Sequence, residues 1–545
     1  MITQSPSSIV VDYALDGERS AAAVARGESR LVGIAIHDET EPKFYTNPGA
    51  ILDFYRQNPR VYPDALLARV VETVYQLPHN SEYDCIRTMT RLLELSPAGR
   101  GLPVELFDPS TPAPGSPTDF RGNAMRNLNA ILSALDALLP ALESECLEKS
   151  YWKFEIPTID PVAALIAGGV GVDADLIRRR AASHAREAAE SEARIRALAG
   201  PELNLNYHEA MTNFFFGELG LPVVHRTSKG KPALTDEVLG ILGKAHPIAT
   251  LFLRYRRSTI AARTYGSLSR SVSASDRIHP DLDPLGTETG RFNCEDPNLQ
   301  GLSQDERQTF VADPGCVFVE GEVSQAEFRV LALLSGYHAL SAAFHAGGDV
   351  HRRAAAIIYG VKETDVVPEQ RKVAKAVNFA VLYGQTVKSL SRSLGWSPSD
   401  ADKLFNAFWD SFPGVRDWTY HASQAAFDGC VTTISGRKRR LPPICSNRTG
   451  KTLRQAVNTV VQGSSADLLK VALATLYDRL PSDCRILMTV HDSILVQAPE
   501  SKASETAALV RETMETCVPP DFNVPMKADV TIGRRWGEPT KTLTE

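Results

Sequence analysis

No stretch of this 545-residue sequence approaches the ~18 consecutive apolar residues of a membrane-crossing helix, so no segment reads as a transmembrane span. The opening MITQSPSSIVVD lacks the basic segment followed by an apolar run that marks a secretory leader, which leads us to expect a cytoplasmic protein without a membrane partner. The eight cysteines form no CxxC and no Cys/His metal spacing, which excludes a zinc module or a disulfide framework and leaves ordinary thiols. An excess of positive charge is also missing. With 59 Lys and Arg against 65 Asp and Glu, the net charge is -6, so a site for a polyanion has to come from local segregation of charge. No internal repeat is visible, which argues against a solenoid. At 43% hydrophobic and 23% charged residues, the chain can bury more than one core and suggests roughly three or four domains.

Local segregation does occur. Between Arg226 and Arg277 the chain carries Lys229, Lys231, Lys244, Arg254, Arg256, Arg257, Arg263 and Arg270, interleaved with Tyr255 and Tyr265. Such a run is either a solvated helix face or a track for a nucleic acid. IVVDYAL and LVGIAIHD, between Ile9 and Tyr45, alternate as strands separated by a polar turn and open a small α/β domain. A Pro/Gly/Ser-rich stretch from Phe107 to Gly122 reads as a surface loop, with helical periodicity resuming from Asn127 to Leu142. Asp173 is a plausible N-cap for a long, charged, alanine-rich helix that ends at Gly200 and could be half of a helical hairpin. Beyond about Pro280 the texture changes to short strands and long helices.

Three segments there carry chemistry. Cys316 to Gly336 reads as an apolar strand turning near Glu322 into a helix from about Ser324, with Glu320 and Glu322 on one face of the strand. Ile486 to Glu500 reads as two apolar strands joined at His491-Asp492. An Asp at that place serves the turn itself, or, paired with a second acidic strand end, holds metal ions for a phosphoryl displacement. Glu369 to Thr386 reads as a helix with Arg371, Lys375, Phe379 and Tyr383 at four-residue intervals, an oblique stripe with cations at its start and aromatics at its end. That stripe suits a triphosphate and a base, or is an ordinary amphipathic face. TETGRFNCEDPNLQG puts Arg291 in a Gly/Asn/Pro loop where donors can meet phosphates or groove edges. SGRKRRLPP, from Ser435 to Pro443, concentrates four cations at a turn, a further signal for nucleic acid or, as is more usual, a solvated loop.

Together and in this order, these residues resemble the family A DNA polymerases, with a match running from about Glu155 to Glu538. Glu322-Val-Ser-Gln-Ala-Glu-Phe-Arg329 is similar to motif A, usually DYSQIELR. Arg371, Lys375, Phe379, Tyr383 and Gly384 match motif B, and Val490-His491-Asp492-Ser493 resembles motif C, usually VHDE. TGRF from Thr289, PNLQ from Pro297, and Arg454, Asn458 and Gln462 also match. The resemblance implies an α/β multidomain protein. A right-hand polymerase, with an antiparallel palm sheet and helical fingers and thumb, would follow an N-terminal RNase H-like, exonuclease-type α/β domain. The implied boundaries are 1–150 for that domain, 151–275 for the thumb with the start of the palm, 276–337 and 447–545 for the palm, and 338–446 for the fingers.

The resemblance implies a template-directed DNA polymerase, of phage or bacterial replication or repair, whose partners are primer-template DNA, dNTPs and replication accessory proteins. Two Mg²⁺ ions, for which Mn²⁺ can substitute, would be held by Asp492 and Glu322. Arg371 and Lys375 would hold the triphosphate, Phe379 and Tyr383 would shape the nucleotide pocket, Gln325 and His351 would complete it, and Glu327 would exclude a ribose 2′-hydroxyl. Arg291, Asn298, Gln300, Arg454, Asn458, Gln462 and His491 would contact the primer-template.

Two departures matter. Motif A presents Glu322 for Asp, and its extra methylene moves the carboxylate by on the order of 1 Å. The backbone retreats, Glu320 shares the task, or catalysis is slow; in the last case the protein is a primer-template binding clamp rather than an active polymerase. In the exonuclease-like region the DxE motif reads Asp12-Tyr13-Ala14, the second motif survives from Asn80 to Asp84, and Leu132 stands where a Tyr is expected ahead of Asp136. We therefore expect no proofreading, a domain retained as a structural platform, and no long 5′ nuclease. An RNA polymerase or primase is disfavoured by Glu327.

Overall fold

The computed structural model describes residues 9–16, 21–27, 30–37, 42–45, 60–62, 65–74, 83–95, 134, 136–227, 230–394, 396–445, 449–519 and 522–543. Met1–Val172, Ser273–His345 and Asp417–Glu545 form one compact unit, and Asp173–Val272 with Ala346–Arg416 form another.

The chain begins with β1 (Ile9–Asp16), α1 (Ala21–Arg26), β2 (Arg30–His37), β3 (Pro42–Tyr45), β4 (Arg60–Tyr62), α2 (Ala65–Val74), β5 (Tyr83–Cys85) and α3 (Ile86–Leu95). The strands form a sheet in the order β3-β2-β1-β4-β5. β1 runs antiparallel to β2 and parallel to β4. The expected turn between β1 and β2 contains α1, an alanine-rich helix whose Ala21 to Val24 are buried. Tyr13, from β1, is 2% exposed and donates to buried Glu72 on α2 at 2.9 Å. Tyr62 donates to the same oxygen, and Arg69 pairs with Glu72 at 2.8 Å. The Arg69 guanidinium also reaches Asp160 at 2.5 Å, on the next helix, α4 (Ile156–Gly168). The side chains of Asp12, Ala14 and Asp84, together with Asn80, Leu132 and the Phe107 to Gly122 stretch, lie outside the described residues. Asp136 is exposed at the start of the helical stretch 136–144.

Two long helices follow, α5 (Ala174–Ala199) and α6 (Pro247–Arg270), packed along each other. The Asp173 side chain accepts from the Leu176 amide at 2.9 Å, the N-cap expected from its side-chain chemistry, and Gly200 closes α5 at φ 87°. Part of the basic run on α6 is paired in place. Arg254 pairs with Glu187, and Arg256 and Arg257 share Asp236. Tyr255 and Tyr265 are buried, Tyr265 stacking on His184 at 5.6 Å, so the interleaved aromatics belong to the packing rather than to an exposed face.

Beyond them come β6 (Asp281–Asp283), β7 (Asn293–Glu295), β8 (Cys316–Val323), α7 (Ala326–Ser335), α8 (Val350–Tyr359) and α9 (Pro368–Leu382). The chain continues with β9 (Cys430–Thr432), β10 (Lys438–Arg440), α10 (Thr449–Arg479), β11 (Arg485–Val490), β12 (Ser493–Pro499), α11 (Ala503–Thr516), β13 (Ala528–Gly533) and β14 (Lys541–Leu543). The second sheet runs β11-β12-β8-β13-β14. Its pairings are antiparallel, with β8 in the centre. Among the described residues no helix is long and apolar enough to cross a membrane.

Central β8 is apolar at Val317, Phe318 and Val319 because both of its neighbours and α11 cover it. Gly321 permits that cover, since a Cβ there would lie 2.6 Å from Val510 Cγ1 and 2.7 Å from Met514 Sδ, both on α11. Gly321→Ala is therefore expected to lower stability by about 1–3 kcal/mol through overpacking, read as a lower urea midpoint of tryptophan fluorescence.

Candidate active site

β8 and β12 pair in a register that sets Glu322 opposite Ser493 and Glu320 opposite Leu495. β11 and β12 are joined through His491 and Asp492 alone, with His491 at φ 52°. The Val323 amide donates to the Asp492 carbonyl at 3.1 Å. Glu322 and Asp492 thus stand at the same end of two adjacent strands, Glu322 exposed and Asp492 half-buried. Burial pushes the Asp492 carboxyl up, while Arg291, the Ser465 hydroxyl donating at 3.3 Å, and His491 pull it down. His491 is lowered by burial and by the cations Arg291 and Arg307.

Glu320 is engaged away from the strand end. Its Oε1 accepts from Trp536 Nε1 at 3.0 Å and from Ser493 Oγ at 3.5 Å, and Arg307 lies 4.0 Å away over the Trp536 ring. Among the described residues no group of three or more His, Cys, Asp or Glu could enclose a metal. Two carboxylates at a strand end still suit Mg²⁺, which is commonly held by one or two carboxylates plus substrate phosphates. The poorly solvated Asp492 carboxyl fits the same role, because a cation offsets the cost of ionising it.

α7 begins at Ala326, two residues later than the sequence suggests, because Gln325 adopts a left-handed conformation (φ 55°, ψ 36°) between strand and helix. Glu327, in the first turn, is 6% exposed and accepts from Arg291. Its Oε2 has no hydrogen-bond partner among the described residues. Burial raises the Glu327 carboxyl to about 7, opposed by Arg291 and assisted by Asp492.

The other expected DNA contacts divide. Arg454, Asn458 and Gln462 form a row on α10, with Arg454 exposed and the other two half-buried. Asn298 caps its own loop, its Oδ1 accepting from the Gly301 amide at 3.1 Å, and Gln300 donates to the Thr489 carbonyl of β11 at 3.3 Å.

Arg371, Lys375, Phe379, Tyr383 and His351 lie in the other unit. α9 stops at Leu382, so Tyr383 is its C-cap and Gly384, at φ 73°, completes the turn. Phe379 stacks on Tyr383 at 6.0 Å and packs against His351 at 5.6 Å. Lys375 is exposed. His351 is buried, and its Nδ1 lies 3.0 Å from Asn378 Nδ2. Burial lowers its imidazole to about 4, opposed by Asp349 and reinforced by Arg371 and Lys375, so it is neutral near pH 7.

Sequence reasoning missed Asp349, Asn378 and Ser465. Asp349 caps α8 through the His351 and Arg352 amides and holds Arg371 Nε at 2.6 Å. Its position just ahead of a helical run is an N-cap signal that could have been found. Nothing local marks Ser465. The reading of SGRKRR as a solvated loop is corrected, because β9 and β10 form a hairpin whose Arg437 is 1% and Arg439 6% exposed.

The fold is that of a polymerase domain. It matches the POL domain of Pol1 from M. smegmatis in complex with DNA primer-template and dNTP at a TM-score of 0.84, covering 98% of this chain and 96% of that one at 24% identity. Residues 174–538 match the family model of DNA polymerase family A, and the chain belongs to that family. It is 37% identical over 415 residues to a thermostable DNA polymerase I of Thermus filiformis, covering 74% of this chain and 50% of that protein. It is 34% identical over 455 residues to that of Thermus aquaticus, covering 79% and 54%. The chain thus spans about half the length of these relatives.

The raised Glu327 carboxyl makes stability depend on pH. Because the folded value of about 7 exceeds the ordinary 4.5, the contribution is fully present below about 4.5 and is lost as pH rises through about 7, amounting to roughly 3 kcal/mol. In EDTA, wild type should lose denaturant stability across that window, whereas Glu327→Gln should show a shallower slope; equal slopes would contradict the assignment.

Proposed function

We propose that this chain is a template-directed DNA polymerase that adds deoxynucleoside triphosphates to a primer 3′ end, without proofreading. The observation that carries the reading is the β8–β12 register, which brings Glu322 beside Asp492, with Glu327 following in the first turn of α7 and held by Arg291. The domain assignment given by the family resemblance is part of the proposal, as is a cytoplasmic location.

Two Mg²⁺ ions, when bound, would stabilise the attacking and leaving oxygens of the phosphoryl transfer. Glu322 and Asp492 would hold them, with Ser465 orienting the Asp492 carboxylate. Arg371 and Lys375 would neutralise charge on the triphosphate, and Asp349 would keep the Arg371 guanidinium in place. Phe379 and Tyr383 offer ring faces to a base, with His351 packed against Phe379. Glu327 would occupy the volume that a ribose 2′-hydroxyl needs. Arg291, His491 and the row Arg454, Asn458 and Gln462 would face the primer-template. Asn298 and Gln300, anchored in the 298–301 turn by the Gly301 amide and the Thr489 carbonyl, would contact the primer-template as well.

Glu322 in place of Asp favours a second reading, a clamp that binds primer-template and polymerises poorly. Primer extension with Mg²⁺ and dNTPs separates the two. Wild type should extend, Asp492→Asn should lower the rate by about a thousandfold, and primer incubated without nucleotides should keep its length. An inert wild type rescued by Glu322→Asp, a change that moves the carboxylate on a scale worth about a hundredfold in rate, would establish the clamp instead.

A further inference from the structure

The sequence places four charged groups where little solvent reaches them. Arg437 and Lys470 face Glu155 and Asp467, each 0–1% exposed at its side chain. Lys470 Nζ donates to Glu155 Oε2 at 2.6 Å. Arg437 Nη2 donates to Asp467 Oδ1 at 2.9 Å and to the Gly463 carbonyl at 3.2 Å. The cluster is neutral, with two cations against two anions. A buried ion cluster is weak evidence for stability, since well-packed apolar residues often do as well, so its use is to be sought in what it positions.

It borders the segment Glu288 to Phe292. Gly290 sits at φ 80° against the Arg437 guanidinium, and any Cβ there would collide with it. The Thr289 carbonyl lies where a Cβ on Gly463 would meet it at 2.8 Å. Lys470 Nζ stands 5.9 Å from the centre of the Phe292 ring. Arg439 pairs with Glu288 and donates to Thr459 of α10. Each residue flanking Arg291 is thus in contact with the β9–β10 hairpin or α10, and Arg291 itself extends to Glu327.

We propose that Arg437 and Arg439 are positioning residues that set the 288–292 loop so that Arg291 reaches Glu327 and the primer terminus. The inference rests on the polymerase reading. The two buried cations of the hairpin, Arg437 and Arg439, are directed inward, against Gly290 and to Glu288 of the loop.

The test is a double-mutant cycle on the full chain. Affinity for fluorescent primer-template is measured by anisotropy without nucleotides, alongside kcat, KM for primer-template and thermal midpoint, for Arg437→Lys, Arg291→Ala and the pair. Arg437→Lys should weaken binding about tenfold in wild type and less than twofold on the Arg291→Ala background, because coupled neighbours are non-additive. Equal losses in both backgrounds, or a lower thermal midpoint with unchanged affinity, would overturn the proposal. If Arg437→Lys does not fold, Glu288→Gln carries the same cycle, since that side chain is 66% exposed and its loss frees Arg439 without emptying the core. A wild type that neither binds nor extends primer-template would remove the polymerase reading itself, an outcome distinct from additivity.

Discussion

The pairing of β8 with β12 is the constraint on which the site depends. Side chains on a strand alternate, so a slip of one residue would turn Glu322 to the α11 side and Gly321 away from it. That slip is blocked on one side by the fit of Gly321 against Val510 and Met514, and on the other by Glu320, tied to Trp536 and Ser493. The two acids flanking Gly321 therefore divide the work. One locks the strand, and the other is presented at its end.

Around that frame the polar groups are held by neighbours on other elements: Asp492 has Ser465 and Glu327 has Arg291. Within the other unit, Arg371 has Asp349. Each pair joins a residue at a strand end, loop or helix start to one on a separate element, so the side chain's direction is fixed by two backbones. The cost is visible in Glu327 and Asp492, whose carboxyls burial pushes up.

Much of this was legible in the sequence because it is periodic or local. The stripe from Arg371 to Tyr383, the two-residue turn at His491-Asp492 and the Asp173 cap follow from helix geometry, strand alternation and side-chain chemistry. What was not legible depends on partners far along the chain. Arg437 and Arg439 read as solvated because cations usually are, and only Asp467, Glu155 and Glu288 make their burial tolerable. Tyr255 and Tyr265 read as accessible because their helix is basic, yet they face its packed side. The delayed start of α7 stems from the left-handed Gln325, which no propensity favours.

The Arg69 guanidinium, shared between Glu72 inside the N-terminal sheet domain and Asp160 on α4, has a bearing on how such a protein can change over time. A module joined to its neighbour by the chain alone can be shed without unpairing any charge. Here a cut between the two would leave Arg69 with Glu72 but strip Asp160 of its guanidinium partner. The first part of the chain is thus bound to the rest by a shared charge, which favours its retention whatever its own activity.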